Sequence, residues 1–155
     1  MSLSSANIID VGDVLVIGAG LAGLFTALKL SPRPVTILSG RKRTKGSASK
    51  WAQGGIAAPI GPGDSIDAHA HDTLAAGDGL VDTKIARLLA EDAEARIEDL
   101  CRLGVPFSTD ARGELKLGRE AAHSQNRIVG VSGDRAGHEV MQTLIRSAEN
   151  NPAIR

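Results

Sequence analysis

Residues 13–24 constrain the fold of this chain most, because an apolar stretch runs directly into three glycines and a helical pattern. The sequence there is Asp-Val-Leu-Val-Ile-Gly-Ala-Gly-Leu-Ala-Gly-Leu, with glycines at positions 18, 20 and 23. In a strand–turn–helix unit, the first glycine allows a sharp turn, the second lets backbone approach a phosphate, and the third lets the helix lie close to the strand. The first helical N–H groups then face the anion. The stretch therefore predicts an α/β fold that binds a dinucleotide.

The neighbouring segments predict a parallel sheet around this turn. Residues 13–17 form a fully buried strand, and residues 35–38 form a second strand after a crossover helix at 21–30, which makes the two strands parallel. The inward residues of that helix are Leu21, Leu24, Phe25 and Leu28. Residues 40–63 are irregular and rich in glycine, whereas residues 153–155 resemble the beginning of a third strand.

Three further helices follow from the apolar spacing. We expect them at residues 64–76, 82–103 and 134–149, the last capped at its first residue, with a loop at 114–127 and a short strand at 128–131 between the second and the third. The inward face of the second helix is predicted to carry Ile85, Leu89, Ala93, Ile97 and Leu100. The last helix is predicted to bury Val140, Met141, Leu144, Ile145 and Ala148.

Composition points to a small-molecule partner. The 155 residues, 42% hydrophobic, contain 18 basic and 18 acidic side chains, so no net field attracts nucleic acid or a membrane surface. A single cysteine, Cys101, cannot form an internal disulfide, and no apolar run approaches the roughly 20 residues that cross a bilayer. We expect a cytoplasmic protein with no membrane association. Its organisation would be a leader at 1–12 and an incomplete nucleotide-binding domain at 13–155.

The residues leave the kind of dinucleotide open. An NAD-binding domain normally has an acidic residue at the end of its second strand, but this chain has Ser39 and Gly40 there, followed by the basic residues 41–43. The basic residues suit the 2′-phosphate of NADP. Residues 46–58 supply small side chains, hydroxyls and consecutive N–H groups, which suit a flat, polar-edged ring and favour a flavin. A flavin enzyme, an NADP-binding Rossmann module and a nucleotide-binding module without chemistry of its own therefore remain.

Several blocks of sequence resemble one flavoprotein family. They are residues 14–24, 36–39, 51–58, 64–67, 71–74 and 119–124. In order and spacing they resemble the flavoproteins of the succinate dehydrogenase and fumarate reductase family and, within it, the branch of the L-aspartate oxidases. The resemblance implies the N-terminal part of a partial Rossmann-like, α/β FAD-binding domain with a parallel sheet, truncated before its remaining strands and capping domain, so that these residues alone would not turn over.

The resemblance also implies an activity and its partners. FAD would take a hydride from L-aspartate, giving iminoaspartate in the first step of NAD synthesis, and oxygen or fumarate would reoxidise it. Quinolinate synthase is a candidate protein partner. The respiratory members attach FAD through a histidine shortly before the Ala-Gln-Gly-Gly motif, but Ala48 stands near that position here, so a noncovalent FAD is expected. A fumarate reductase or succinate dehydrogenase type of flavoprotein subunit is the alternative.

The site residues follow from matching the family's motifs to this chain. Glu120 would orient the ammonium group of aspartate, which succinate lacks, and His123 would bond a substrate carboxylate or order its loop through a backbone carbonyl. Gly40 replaces a frequent lysine, for which Arg41 or Lys42 would substitute. The residues predicted to bind FAD are Gly18, Ala19, Gly20, Leu21, Ala22, Gly23, Ser39, Gly40, Ser47, Ala48, Ser49, Ala52, Gln53, Gly54 and Gly55.

Other conspicuous side chains receive structural interpretations. His69 and His71 lie two apart on a helix, about 200° around its axis from one another, so we predict no metal site and expect hydrogen-bonded histidines, with His71 and Asp72 near the surface. Trp51 is predicted to fill the core, and Cys101 to be structural. An uncovered apolar sheet face would favour association with other chains.

Overall fold

The computed structural model describes residues 12–40 and 47–155. The chain divides into two compact units, residues 1–47 with 144–155 and residues 48–143. The predicted leader, apart from Gly12, and the basic residues 41–43 lie outside the described residues.

The first unit contains the predicted β-α-β arrangement. Strand β1 (Val14–Ile17) pairs in parallel with β2 (Val35–Leu38), and helix α1 (Leu21–Leu30) joins them. The prediction of a further strand at 153–155 is also confirmed, since Ile154 forms a parallel bridge with Val35. The order of elements and the parallel pairing therefore follow the sequence pattern.

The sheet of this unit is more exposed to solvent than the predicted burial of β1 implies. Ile17 is 79% exposed, and Leu15 and Leu38 are also exposed, so the prediction of a fully buried β1 is wrong for this chain. Helix α1 buries Leu24 and Ala27, while its other predicted inward residues are half-buried. The expected uncovered apolar surface on the sheet is thus present.

The second unit combines two long helices with a small antiparallel sheet. After a 3-10 helix (Ala48–Trp51) come β3 (Ile56–Ala57), α2 (Ile66–Ala76), α3 (Thr83–Arg102), β4 (Leu117–Gly118) and β5 (Ile128–Val129). The strands lie in the order β3-β5-β4, and α2 packs against α3. The segments predicted to be irregular, 40–63 and 114–127, thus each contribute a strand of two residues.

Local capping explains where α2 and α3 begin. The hydroxyl of Ser65 accepts a hydrogen bond from Ala68 N, and Asp82 Oδ1 accepts from Lys84 N and Ile85 N. Helix α3 ends before Gly104, whose φ of +91° is the left-handed conformation that stops a helix. Both caps satisfy N–H groups that have no partner within the helix.

The buried face of α3 differs from the prediction. Ile97 and Leu100 are buried and Ala93 is half-buried, but Ile85 is 51% exposed and Leu89 is 64% exposed. The alanines Ala86 and Ala90 take the inward positions in the first half of the helix. Small side chains there let α2 approach closely, which apolar spacing alone did not indicate.

Helix α4 (Ala136–Glu149) spans the boundary of the two units. Of its predicted inward residues, Ile145 is half-buried and the others are buried. The predicted cap, Asp134, has a φ of +50° and lies two residues before the helix, so it does not have the extended conformation of an N-cap.

One side-chain prediction is wrong, and the structural role of Cys101 stays a prediction. Trp51 is 73% exposed instead of filling the core. Cys101 is exposed on α3, although burial of its sulfur and the neighbouring Glu98 raise the pKa of its thiol. In the described part of the chain, no helix has the length and apolar character needed to cross a membrane.

Candidate cofactor and substrate site

The glycine turn of the first unit has the geometry of a phosphate cradle. Gly18 has a φ of +110°, which favours glycine, and its N–H donates to Leu38 O at 2.8 Å, so the turn is fixed to the end of β2. Gly20 is the N-cap of α1, without a side-chain cap and without an acidic residue in the first turn. The helix start therefore carries a positive dipole end that no nearby carboxylate of that turn offsets.

Gly23 has the packing role predicted for the third glycine. A Cβ atom at this position would lie 1.9 Å from Gly18 O, so only glycine permits this approach of α1 to the turn. Ser39 and Gly40 follow β2 and are exposed, and a Cβ on Gly40 would meet open space. Ala19 and Leu21 are half-buried and Ala22 is exposed.

Ser47 belongs to the first unit and carries a buried hydroxyl oxygen without a hydrogen-bond partner in the described part of the chain. An unpartnered buried polar atom is uncommon in folded proteins. Such an atom in the predicted cofactor segment fits a polar ligand group. The first unit therefore offers both a phosphate cradle and an unused hydrogen-bonding group, as a dinucleotide requires.

In the second unit, the predicted FAD segment lies against the start of α4. Gly137 N donates to Ala52 O at 3.0 Å, and a Cβ on Gly137 would lie 2.1 Å from Ser49 O. Ala48, Ala52, Gln53 and Gly54 are exposed, while Ser49 and Gly55 are half-buried. Gly137 at the start of α4 thus contacts the backbone carbonyls of this segment from one side. Small, accessible residues form the surface of the segment.

Gly54 and Glu120 meet at an open cleft of about 390 Å³. A Cβ on Gly54 would lie 2.7 Å from Oε1 of Glu120, whose carboxylate is exposed and has no ion-pair partner within the described ranges. The cleft is lined by Gly54, Ser108, Lys116, Leu117, Gly118, Arg119, Glu120, Ile128, Gly130, Val131, Ser132 and Asp134. The structure therefore brings together a predicted cofactor residue and a predicted substrate residue.

The His123 side chain lies outside the cleft that contains Glu120 and faces buried charges. The backbone N–H of His123 donates to the backbone carbonyl oxygen of Glu120 at 3.0 Å. The ring Nδ1 of His123 lies 3.4 Å from Nη1 of Arg127. Because arginine only donates, a hydrogen bond between these two atoms has Arg127 as the donor and His123 Nδ1 as the acceptor. His123 does not line the cleft that contains Glu120. Of its two predicted roles, loop ordering has structural support, but through the arginine side chain rather than a backbone carbonyl.

A buried cluster of Asp64, Asp72 and Arg127 supports this loop and was not predicted. The Arg127 side chain is fully buried; it donates to both oxygens of Asp64, at 2.7 and 2.9 Å, and to Asp72 Oδ2 at 2.7 Å. Ser124 donates to the same Asp72 oxygen through its N–H and its hydroxyl, each at 2.7 Å. The backbone N–H of Ser124 and the Arg127 guanidinium lower the pKa of Asp72 to about 2.

The sequence signal for this cluster was present but weak. Asp64 and Asp72 lie in two of the blocks that resemble the family, and the side chain of Asp72 was predicted to lie near the surface. That prediction is right for His71 and wrong for Asp72, which is 9% exposed. An isolated arginine before a short strand gives no sign of burial, because arginine is rarely buried unless paired.

His69 is buried beside the cluster without the predicted hydrogen bonding of its ring. Its Nδ1 has no partner in the described part of the chain, and its ring meets that of His123 edge-on, with centroids 5.8 Å apart. Burial and the nearby Arg127 charge lower the pKa of His69. No group of three or more potential metal ligands occurs among residues 12–40 and 47–155.

The β-α-β unit with its glycine turn defines a dinucleotide-binding α/β domain. Its family is that of the FAD-binding domains: residues 13–155 match this family, and the chain belongs to it. The match selects FAD over NADP as the cofactor. The mixed α/β fold, the parallel sheet and the predicted family are thereby confirmed.

Curated relatives narrow the similarity further. The chain is 46% identical over 151 residues to L-aspartate oxidase of Mesorhizobium japonicum, covering 97% of the chain and 29% of the relative. It is 47% identical to L-aspartate oxidase 1 of Ralstonia nicotianae, covering 92% of the chain and 27% of the relative. With L-aspartate oxidase of a Nostoc species the identity is 44%, over 99% of the chain and 26% of the relative. The chain thus spans between a quarter and a third of the length of these relatives.

Solved structures agree on the fold. Sdh1 of Mycobacterium smegmatis superposes with a TM-score of 0.81 at 29% identity, over 92% of this chain and 26% of that one. An FrdA chain of E. coli quinol fumarate reductase gives a TM-score of 0.83 at 26% identity, over 93% of this chain and 25% of that one. The expected similarity to the succinate dehydrogenase and fumarate reductase group is therefore confirmed.

Proposed function

We propose that this chain forms the FAD-cradling part of an enzyme that oxidises L-aspartate to iminoaspartate. The observation that carries the proposal is the Glu120 carboxylate, which has no ion-pair partner among residues 12–40 and 47–155 and lies beside Gly54 of the segment predicted to follow the flavin. A carboxylate there suits a substrate that carries an ammonium group. The identities of 44–47% to L-aspartate oxidases support the same substrate.

FAD is bound without a covalent link in this proposal. In the first unit, Gly18, Gly20 and the start of α1 would hold the pyrophosphate, and residues 47–55 would line the flavin. Ala48 offers no nucleophile where respiratory relatives are expected to have a histidine. When bound, FAD supplies hydride acceptance, and the protein supplies binding and orientation.

The residues of the chain itself hold and orient the substrate. Glu120 accepts hydrogen bonds from the substrate ammonium group and fixes the Cα–H direction. The exclusion of other orientations reduces the loss of entropy on reaching the transition state. His123 keeps its Nδ1 toward Arg127 and presents Nε2–H as a donor. Oxygen or fumarate is the electron acceptor, and the reaction is the first step of NAD synthesis in the cytoplasm, with quinolinate synthase as the partner that uses the product.

A succinate dehydrogenase or fumarate reductase type of subunit is the second candidate. The TM-scores of 0.81 and 0.83 favour it as far as the fold is concerned. Its substrates lack the ammonium group, so Glu120 would have no counter-charge. The two candidates thus differ in what the cleft must bind.

The test is made on the full-length protein. We expect a yellow protein whose flavin stays in solution after acid precipitation and is bleached by L-aspartate without oxygen, but not by succinate. Glu120→Gln should lower the reduction rate at subsaturating aspartate by about 10-fold or more, the value of a lost charge-assisted hydrogen bond. Flavin that precipitates with the protein, or that is reduced by succinate alone, would favour the second candidate.

A further inference from the structure

The loop that carries Glu120 is held at three places by buried or paired groups. At its base, Gly118 of β4 pairs with Ile128 of β5, so residues 119–127 form the connection between two paired strands. In its middle, Ser124 donates twice to Asp72 of α2. At its end, Arg127 binds Asp64 and Asp72. The loop is therefore fixed to α2 and to the segment before it, although most of its residues are exposed.

Glu120 is coupled to these anchors by short connections. His123 N donates to Glu120 O at 3.0 Å, and Ser124 follows directly after His123. Nδ1 of His123 also lies 3.4 Å from the Arg127 guanidinium. A shift of Arg127 or Ser124 would thus be transmitted within one turn of backbone to the residue whose carboxylate faces Gly54.

Burial of charge on this scale is not explained by stability alone. Arg127 is fully removed from solvent, and Asp64 and Asp72 are almost so, with side-chain exposures of 1% and 11%. Well-packed apolar side chains of similar volume usually stabilise a core as well as a buried ion pair does. What the planar guanidinium adds is direction: it binds both oxygens of Asp64 and one of Asp72 in fixed positions.

We propose that Arg127, together with Asp64 and Asp72, is a positioning residue that holds the loop 119–127 so that the Glu120 carboxylate faces the cleft at Gly54, and that it thereby determines the preference for a dicarboxylate with an ammonium group over one without. This inference rests on the proposed function. Arg127 itself does not line the cleft and acts through Glu120.

The test separates ammonium recognition from general stability. In the full-length protein, Arg127→Lys keeps the charge but loses the fork geometry. We expect the aspartate concentration for half-maximal flavin reduction to rise about 10-fold or more, since a charge-assisted hydrogen bond is weakened. The dissociation constant of succinate, read from the flavin spectrum, should change less than about threefold, within what a neutral contact contributes. Flavin content should stay the same.

A double-mutant cycle with Glu120→Gln shows whether Arg127 acts through Glu120. In the Glu120→Gln background, Arg127→Lys should not change the aspartate concentration for half-maximal flavin reduction any further. Ser124→Ala is a milder variant, because it removes one of the two hydrogen bonds from Ser124 to Asp72. It should also raise the aspartate concentration for half-maximal flavin reduction. Arg102→Lys is the matched control, because Arg102 forms an exposed ion pair with Glu98. It should change the affinity for neither aspartate nor succinate.

Two results would overturn the inference. One is an unchanged ratio of aspartate to succinate affinity in both Arg127→Lys and Ser124→Ala. The other is an Arg127→Lys effect of the same size with and without the Glu120 carboxylate, as a loss of stability alone would give. A failure of the proposed function looks different, because the unmutated protein would then show no reduction by aspartate at all.

Discussion

The carboxylate of Glu120 reaches Gly54 so closely that a Cβ atom on Gly54 would lie 2.7 Å from Oε1. The two residues are 66 positions apart in the sequence, and β3, β5 and β4 bring them together by pairing in one sheet. The contact places a carboxylate, without an ion-pair partner in the part of the chain that the structure describes, beside the segment predicted to follow the flavin.

Gly54→Ala should displace the Glu120 carboxylate, because the new methyl group would occupy the space of Oε1. We expect the KM for aspartate in the full-length protein to rise about 10-fold, with a smaller change in kcat. Gly130→Ala is the control, since Gly130 lines the same cleft and its Cβ would meet nothing within 4 Å. Equal KM values for the two variants would show that the contact has no role in binding.

Gly23→Ala should destabilise the first unit and weaken FAD binding. The added Cβ would lie 1.9 Å from Gly18 O, a backbone atom that cannot move without opening the turn. Overpacking of this kind costs about 1–3 kcal/mol or more, measurable by denaturant unfolding, and flavin content should fall with it. Gly130→Ala, in the second unit and with nothing within 4 Å of the added Cβ, should change neither. A Gly23→Ala protein with full flavin content would contradict the predicted cradle.

Asp72 should make the stability of the chain depend on acid pH. Its pKa is lowered from 3.8 to about 2 in the folded chain, so it contributes stability that is fully present above pH 3.8 and is lost as the pH falls toward 2. The contribution is on the order of 2 kcal/mol. Unfolding measured between pH 2 and pH 5 should therefore lose part of its slope in Asp72→Asn. Asp92→Asn, an exposed carboxylate without an ion pair in the described ranges, should keep the slope of the unmutated chain.

His69 should make the stability of the chain depend on pH in a higher range than Asp72 does. Because burial lowers its pKa below 6.5, the unfolded chain binds a proton more readily, and stability should fall as the pH decreases through 6.5. His69→Phe removes both the proton site and the unpartnered Nδ1, so the variant should lose this dependence and match or exceed the stability of the unmutated chain at pH 6. His71→Phe, on the exposed side of α2, is the comparison. A strongly destabilised His69→Phe would indicate a partner for Nδ1.

Trp51 offers a direct reading of cofactor binding. It is the single tryptophan of the chain, is 73% exposed and lies in the predicted FAD segment. Its fluorescence should resemble that of a solvated indole without FAD, and a flavin bound along residues 47–55 should quench it. Titration with FAD should give a saturable loss of emission, and Gly23→Ala should shift the midpoint to a higher concentration. Quenching that grows linearly with FAD would indicate collisions instead of a site.

Much of the fold is local, and for that reason the sequence predicts it. The strand, glycine turn and helix at residues 13–30 depend on neighbours in the chain, as do the caps at Ser65 and Asp82. The burial predictions for Ile85, Leu89 and Trp51 were wrong, because burial depends on which element lies opposite. Of the three strands in the small antiparallel sheet, β5 was predicted, whereas β3 and β4 escaped prediction because strands of two residues have no periodicity of their own.

Local patterns along the chain are enough to predict the dinucleotide turn, the parallel β-α-β unit and the family, because each rests on spacing within a short stretch or on blocks in a fixed order. The approach of Glu120 to Gly54 and the position of His123 beside buried charges depend on contacts between distant parts of the chain. Only folding shows that Arg127 joins Asp64 and Asp72, residues more than 50 positions away. The physical reason is that a buried charge must find its counter-charge in space, and spacing along the chain does not record which distant side chain provides it.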